Sequence, residues 1–309
     1  MLTTIFTTLF CVLIPTGIAF VISDDSILIN GIPMLYYCIF ISFLIHWIIF
    51  IPSAIKKNEK FYDFTGMIAY LSVISFALYQ KNKILGNLDL DSIIIATLIS
   101  IWTLRLGIFL FYRVFKVGED QRFREVKTSP SKFFVWFSVS GLWVSLTSIA
   151  GLNILSSKID HNDYFFVYFG VLLWIFGFLF EVIADYQKMK FKNNKNNDGK
   201  FISSGLWSIS RHPNYFGEII LWIGIFIISL PSLEGFEYLT VISPLFVYVL
   251  LNKISGINLL EKKADEIFRD INIEQNGFHL LNKLAYWALR IGGFVAWNKH
   301  RKVNAKIGD

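Results

Sequence analysis

Apolar residues along this chain gather in runs of near twenty positions, separated by short polar stretches that are rich in lysine. Runs of this length are typical of membrane-crossing helices, because about 20 helical residues span the hydrocarbon core. The pattern predicts eight spans, near Leu2–Ile22, Met34–Ile51, Phe64–Leu78, Ser92–Val114, Phe133–Leu155, Tyr164–Val182, Tyr215–Leu230 and Tyr238–Ile254. The first span lacks a basic leading segment and a small-residue cleavage site, so we interpret it as a retained helix.

The composition agrees with a membrane protein. The chain is 54% hydrophobic and 17% aromatic, and its mean hydropathy is +0.53. A soluble domain of this length carries fewer apolar residues. We therefore predict an all-α fold: a polytopic membrane bundle of about eight transmembrane helices, in a single domain over residues 1–309.

Lysine and arginine are distributed unevenly between the predicted loops. Of the 29 in the chain, most fall in loops 53–61, 113–132 and 186–214 and in the tail from Lys253. With eight spans, these loops and both termini lie on one side, which the positive-inside rule makes cytoplasmic. The net charge of +6 is then mostly a topology signal. Outside the spans there is no basic stripe interleaved with aromatic residues, so we do not expect nucleic-acid binding.

Several common site motifs are absent from the sequence. It contains no CxxC, HExxH, GxSxG, P-loop or GxGxxG pattern, which excludes a Rossmann cofactor domain and predicts no metal site. Cys11 and Cys38 both lie in apolar runs, where a cysteine is typically a small core residue rather than half of a disulfide. A nucleotide cofactor must therefore be held by the membrane helices themselves.

The segment Gly199–Gly224 contains a cluster of polar residues at the start of a span. It runs from a lysine-rich loop into an apolar stretch and contains five polar residues within eight positions: Arg211, His212, Asn214, Tyr215 and Glu218. Pro213 suits a first helical turn, and Asn214 is expected to cap or hydrogen-bond its free N–H groups. A carboxylate such as Glu218 in an apolar span is costly unless it is paired, so it indicates a function. The alternative is a purely structural Glu–Arg pair.

A second group of polar residues ends the sixth span. Glu181, Asp185 and Lys192 share one helical face, since they stand at positions i, i+4 and i+11. On the predicted topology they lie at the same membrane face as the segment Gly199–Gly224. We therefore expect one cytoplasmic ligand site.

The sequence resembles the steroid 5-alpha reductase C-terminal-like superfamily, in its branch of uncharacterised membrane proteins. The resemblance lies in six pieces, in order: FYDFTG at Phe61–Gly66, TLRLGIFLFYR at Thr103–Arg113, GEDQRFREVK at Gly118–Lys127, GFLFEVIADYQKMKFK at Gly177–Lys192, the segment Gly199–Gly224, and SGINLLEKKADEIF at Ser255–Phe268. It divides the chain into variable N-terminal spans (1–60), a reductase-like region (61–270) and a divergent tail (271–309). In a eukaryote it implies the endoplasmic reticulum membrane.

The resemblance implies an oxidoreductase acting on CH–CH groups in lipid metabolism. Such an enzyme binds NADPH from the cytosol and reduces a carbon–carbon double bond, commonly a conjugated enone of a sterol. The implied cofactor contacts are Glu181, Asp185, Lys192, Trp207, Arg211, His212, Asn214, Tyr215, Glu218, Glu261 and Lys262. No Gln-Glu pair matches the substrate-side acid of the true steroid reductases, so that role is not carried over, and the substrate is expected only to be hydrophobic.

The chemistry also requires a catalytic donor. Hydride transfer to an enone builds negative charge on a carbonyl oxygen, which a tyrosine, protonated carboxyl or lysine must meet. Tyr62 and Asp63, at the cytoplasmic end of the third span, are the candidates. A pocket within the membrane suits a lipid and keeps out water.

Two other functions remain open. One is S-adenosylmethionine-dependent methyl transfer to a prenylated or lipid acceptor, since isoprenylcysteine methyltransferases carry a similar Arg-His-Pro-x-Tyr. The methyl donor's sulfonium prefers carboxylates, whereas the phosphates of NADPH prefer the six basic residues of the loop 186–214. The other is a non-catalytic lipid-binding or scaffold protein.

Overall fold

The computed structural model describes residues 2–158, 164–197, 200, 202–210 and 212–251. Within these residues the fold consists of α-helices, short 3₁₀-helices and one small hairpin. The helices are α1 (Leu2–Val21), α2 (Met34–Ile55), α3 (Tyr62–Leu85), α4 (Leu90–Val117), α5 (Pro130–Ser156), α6 (Tyr164–Asn193), α7 (Pro213–Ser229) and α8 (Ile242–Val249). The hairpin pairs β1 (Leu28–Ile29) with β2 (Ile32–Pro33). The predicted all-α bundle is confirmed.

Seven helices within the described residues are long and apolar enough to cross a membrane: α1 to α6, and α7 extended to Ser232. The eighth predicted span is a shorter apolar segment, made of a 3₁₀-helix at Gly235–Val241 followed by α8. The predicted end of that span lies outside the described residues. The chain is an integral membrane protein.

Local sequence signals set several helix ends. Asp89 caps α4, where its Oδ1 accepts the backbone N–H of Ser92 at 2.6 Å. Gly86 ends α3 in the left-handed conformation with φ +78°, which glycine adopts without the penalty of a Cβ atom. Pro130 starts α5 at the first helical position, where no N–H is missed.

The loop between α1 and α2 contains a tight β-hairpin. Its two turn residues, Asn30 and Gly31, both have positive φ, +50° and +81°. An Asn-Gly pair favours such a turn, because both residues reach the left-handed region at low cost. The loop also pairs with the end of α5, where Ile27 N–H donates to the Ser156 carbonyl at 2.6 Å.

The chain divides into two compact units. The first comprises Met1–Phe176 and Ile219–Ile254, and the second comprises Gly177–Glu218 and Ser255–Asp309. The boundaries fall within α6 and α7. The expected single domain, with regions 1–60, 61–270 and 271–309, stays a prediction.

Helix α5 forms the core of the first unit, where it packs against α1, α2, α3 and α8. Small residues recur along it and are buried: Ser138, Ser140, Gly141, Ser145, Ser148, Ala150 and Gly151. They allow close approach, as in other membrane bundles. At Gly141 an added Cβ would lie 2.8 Å from the Phe43 ring, and the Gly141 carbonyl accepts the Ser42 hydroxyl at 3.1 Å.

A buried lysine joins α3, α4 and α5 in the first unit. The Lys81 side chain is 2% exposed, and its ammonium forms an ion pair with Asp89. It also donates to the Ser92 hydroxyl at 2.9 Å and to the Ile154 carbonyl at 3.1 Å. A buried charge needs this many partners to offset its lost hydration.

Candidate functional site

Most of the predicted cofactor residues lie in the second unit. Glu181, Asp185 and Lys192 are on α6, Trp207 is in a 3₁₀-helix at Gly205–Ser208, His212 precedes α7, and Asn214, Tyr215 and Glu218 are in its first turns. Arg211, Glu261 and Lys262 lie outside the described residues.

Three carboxylates of this group are almost fully buried. Glu181 is 2% exposed, and Asp185 and Glu218 are each 7% exposed. Lys192, which the sequence placed on the same helical face, is exposed. Buried carboxylates are retained only where they bind cations or hydrogen-bond donors. This part of the site is therefore acidic inside, with lysines around it.

A glycine contact brings two of these carboxylates onto neighbouring helices. A Cβ added at Gly217 would lie 2.5 Å from the Gly177 carbonyl oxygen and 2.6 Å from the Glu181 nitrogen. The backbones of α6 and α7 thus touch within the second unit. The backbone of Glu181 is part of this contact, and Glu218 is the residue after Gly217. The close packing of α6 on α7 therefore fixes the position of both carboxylates.

Trp207 is held against α6 by several contacts. Its indole N–H donates to the Ala184 carbonyl at 2.9 Å, and the Lys188 ammonium lies 4.4 Å from its ring centroid. The neighbouring Leu206 N–H donates to the Gln187 side-chain oxygen at 2.9 Å. Because the indole N–H is already used, only the ring of Trp207 remains for a ligand. No sequence pattern singled out Gln187 and Lys188, whose contacts hold the Trp207 segment against α6.

The tight turn before Trp207 depends on a glycine. Gly205 has φ +62°, and an added Cβ would lie 2.5 Å from the Gln187 amide. The left-handed conformation and the close contact both favour glycine here.

The start of α7 differs in one respect from the expected cap. Helix α7 begins at Pro213, but Asn214 Oδ1 is buried and has no hydrogen-bond partner among the described residues. The expectation that Asn214 caps the first turn is therefore wrong, because Asn214 lies inside the helix. The rings of His212 and Tyr215 stack at 5.3 Å with an interplanar angle of 12°. A buried acceptor without a donor indicates a place for a ligand.

The catalytic candidate Asp63 belongs to the first unit, where the loop between α4 and α5 meets the start of α3. Arg122 lies 3.5 Å from the Asp63 carboxylate and 2.6 Å from that of Asp120. Glu59, which is 3% exposed, accepts the Lys127 ammonium at 2.8 Å and the Asp120 N–H at 3.1 Å. Asp63, Asp120, Arg122, Glu59 and Lys127 therefore form one paired network.

The network changes how Asp120 titrates. Burial by itself raises the pKa of the Asp120 carboxyl, but the hydrogen bonds and positive charge of Arg122 outweigh burial and hold that pKa below its usual value. For Arg122 burial works the other way and lowers the pKa, yet the charges of Asp63 and Asp120 raise it above its usual value. The pair stays ionised at neutral pH.

Tyr62, the other catalytic candidate, is engaged in the core of the first unit. Its hydroxyl donates to the Trp136 carbonyl at 2.9 Å. Its ring packs against Phe123 at 4.5 Å and Phe137 at 5.1 Å. The hydroxyl hydrogen that catalysis would use is therefore bound to the backbone.

A small cavity beside Asp63 lies between α3, α4 and α5. It holds about 20 Å³, enough for about one water-sized group. Its lining is mostly aromatic and apolar: Asp63, Met67, Tyr70, Trp102, Thr103, Leu106, Gly107, Leu110 and Trp143. Thr103 Oγ1 and Trp143 Nε1 are buried and have no hydrogen-bond partner among the described residues. Two of the residues that line the cavity thus carry a hydrogen-bond donor that no described residue accepts.

Comparison with known proteins gives one family. No curated protein and no solved structure matches the chain. The model of the family described as "Protein of unknown function (DUF1295)" matches residues 49–274, a stretch that includes Asp63, the buried carboxylates and Asn214. The chain belongs to this family.

Proposed function

We propose that the chain is a membrane-bound oxidoreductase that uses NADPH to reduce a carbon–carbon double bond in a hydrophobic, lipid or sterol-like substrate. The observation that carries the proposal is the buried Asn214 Oδ1, which has no donor among the described residues and lies four residues before the buried Glu218. The resemblance to the steroid 5-alpha reductase superfamily supports it.

The residues of the second unit fit the parts of a dinucleotide. A side-chain carbonyl such as that of Asn214 suits an amide or amino N–H, as on nicotinamide or adenine. Buried carboxylates such as Glu181 and Asp185 suit ribose hydroxyls. Lysines at the end of α6, among them Lys188 and Lys192, suit phosphates. NADPH, when bound, supplies the hydride.

The residues around the small cavity suit the substrate's oxygen. Thr103 Oγ1 and Trp143 Nε1 are donors available to a carbonyl oxygen, on which negative charge grows during reduction. The cavity of about 20 Å³ admits such an oxygen but not a whole lipid. Asp63 lines it and is held by Arg122, so we assign Asp63 to orienting the substrate or relaying a proton. Tyr62 is the weaker candidate, since its hydroxyl already donates a hydrogen bond to the Trp136 carbonyl.

A specific observation favours the methyltransferase as a second function. The described interior of the second unit contains three buried carboxylates, Glu181, Asp185 and Glu218. A cationic sulfonium is attracted to such a site, whereas phosphates are repelled unless arginine or lysine intervenes. The proposal of NADPH therefore relies on the basic residues around these carboxylates.

A cofactor comparison tests the proposal. Detergent-purified protein is heated with NADPH, NADH or S-adenosylmethionine, and the unfolding temperature is recorded. We expect the largest increase with NADPH, and a smaller one as salt rises, because phosphate contacts are screened. Tighter binding of S-adenosylmethionine would favour methyl transfer. Binding of none of the three would favour a non-catalytic scaffold or lipid-binding protein.

A further inference from the structure

A larger cavity lies in the first unit, between the end of α2 and the start of α3. It holds about 260 Å³, near the lower limit of ligand pockets, roughly 300 Å³. Apolar side chains form most of its wall: Ile49 and Pro52 from α2, Phe61 just before α3, and Phe64 and Ile68 from α3. Polar side chains complete it: Ser53, Lys56, Asn58 and Thr65. The cavity is thus apolar along the helices and polar at their ends.

The aromatic side of this cavity is fixed by the neighbouring helix α4. The ring of Phe111 lies 5.9 Å from that of Phe61 and 4.8 Å from that of Phe64. Phe115 packs against Phe111 at 4.5 Å. Since these rings support one another, the wall exists before any ligand arrives, and binding costs little ordering.

The polar end of the cavity is an ordered loop. Asn58 N–H donates to the Ser53 carbonyl at 2.9 Å, and the Asn58 side chain accepts the Lys60 N–H at 2.9 Å. Lys57 takes the left-handed conformation, with φ +48°. Lys56 lines the cavity, and Lys57 follows it directly, just beyond the end of α2.

The loop carries positive charge that no described residue neutralises. Lys56 and Lys57 are exposed, and neither makes an ion pair within the described part of the chain. The one acidic residue of the loop, Glu59, is buried and binds Lys127 instead. An apolar cavity therefore opens beside two unpaired lysines at the end of a membrane helix.

We propose that this cavity binds an anionic phospholipid. One acyl chain lies against Pro52 and Phe64, and the phosphate of the headgroup lies at Lys56 and Lys57. A free phosphate does not account for the apolar wall, and a neutral lipid does not account for the unpaired lysines, since juxtamembrane lysines attract anionic headgroups. The proposal is independent of the reductase function.

Lipid-dependent stability tests this site. The full-length protein is reconstituted in vesicles of phosphatidylcholine, with or without phosphatidylglycerol, and the unfolding temperature is measured. Retained lipids are identified by native mass spectrometry. The variants are Lys56→Ala with Lys57→Ala, which removes the charge, and Ser53→Phe, which fills the cavity. Lys83→Ala, at the opposite end of α3, is the matched control, and inorganic phosphate is added separately.

We expect phosphatidylglycerol to stabilise and copurify with the wild type and the Lys83→Ala control. The double lysine variant should lose its preference for phosphatidylglycerol, since each lysine near an anionic surface contributes roughly a fivefold change in affinity. Ser53→Phe should retain neither lipid, and inorganic phosphate should not raise the unfolding temperature. An unchanged preference in the double lysine variant would overturn the proposal, even if Ser53→Phe fails to fold.

Discussion

Gly177 and Gly217 lie so close together that a Cβ on Gly217 would meet the Gly177 carbonyl oxygen at 2.5 Å. A second glycine pair, Gly170 and Gly224, joins the same two helices in the first unit, where a Cβ on Gly224 would lie 2.6 Å from the Gly170 carbonyl oxygen. Small residues allow membrane helices to pack backbone to backbone. The carboxylates Glu181 and Glu218 are adjacent to the first pair, so their placement depends on it.

Gly217→Ala should therefore destabilise the protein. The nearest atoms are backbone atoms, which cannot rotate away, so α6 and α7 must separate, at a cost of about 1–3 kcal/mol. Thermal unfolding in detergent measures this loss. Gly17→Ala is the matched control, because an added Cβ there meets no atom within 4 Å, and alanine favours a helix. Equal stability of the two variants would contradict the close contact.

The interiors of the membrane helices were predictable from hydropathy, but hydropathy did not locate their ends. The apolar runs locate each membrane span, yet α6 continues past Val182 to Asn193, because good helix formers extend it into the polar region. Hydropathy detects only the part of a helix that lies in lipid.

Two features of the fold have a signal in the sequence itself. The turn of the β1–β2 hairpin is an Asn-Gly pair, Asn30 and Gly31, and this pair is a strong hairpin signal. The glycines of α6 and α7 recur at intervals of seven residues in each helix, which is two helical turns. That spacing places them on one face.

Other features of the candidate site had no sequence signal. Pairing of Glu59 with Lys127 joins residues 68 positions apart, and no spacing rule predicts such a contact. The buried Asn214 Oδ1 follows from the packing around α7, whereas the sequence suggested only a cap. The distribution of lysine and arginine among the loops predicts that charges gather at one membrane face, but tertiary packing decides which of them pair.

Stability should depend on pH through Asp120. Arg122 holds the Asp120 pKa below its usual 3.8 despite burial. A carboxyl whose pKa is lower in the folded state stabilises the fold above its unfolded pKa, and this contribution disappears as pH falls through the folded value. Asp120→Asn should therefore be less stable than the wild type at neutral pH, by about 1.5 kcal/mol or more.

As the pH falls below about 4, the stability of Asp120→Asn and that of the wild type should converge. Thermal unfolding in a pH series measures both. Asp24→Asn is the control, because Asp24 is exposed and makes no ion pair within the described residues. Its stability should follow the wild type at every pH. A constant gap between Asp120→Asn and the wild type down to pH 2 would contradict the ionic role of Asp120.

The basic loops predict which side of the membrane each loop faces. Asn87 lies between α3 and α4, and Asn196 lies between α6 and α7; both are exposed. Three helices separate them, so they lie on opposite sides. Because the positive-inside rule places Asn196 in the cytoplasm, Asn87→Cys should react with an impermeant thiol reagent in intact cells, and Asn196→Cys only after permeabilisation.

The natural cysteines do not interfere with this labelling experiment. Cys11 and Cys38 are each 1% exposed, so the wild-type protein should stay unlabelled and serves as the control. Labelling of Asn196→Cys from outside would reverse the predicted orientation, with the N-terminus then on the outer side.

Asn214 provides the sharpest test of the cofactor site. Its buried Oδ1 has no donor among the described residues, so Asn214→Ala removes no hydrogen bond between that oxygen and the described part of the protein. Burying an unpaired acceptor is costly, and the variant without cofactor should be at least as stable as the wild type. Its affinity for NADPH should fall by several-fold, since one hydrogen bond contributes about 0.5–1.5 kcal/mol.

These opposite directions separate a ligand contact from a structural role. A residue that only holds α7 in place would lower the unfolding temperature when removed and leave NADPH affinity unchanged. Asn196→Ala is the control for asparagine removal, because Asn196 is exposed in a 3₁₀-helix at Lys195–Asn197. Both quantities are measured on the same folded preparations, by thermal unfolding and by NADPH titration. If Asn214→Ala keeps its affinity for NADPH, Asn214 does not contact the cofactor. If the variant also loses stability, Asn214 has a structural role, because a contact made only with the ligand cannot stabilise the free protein.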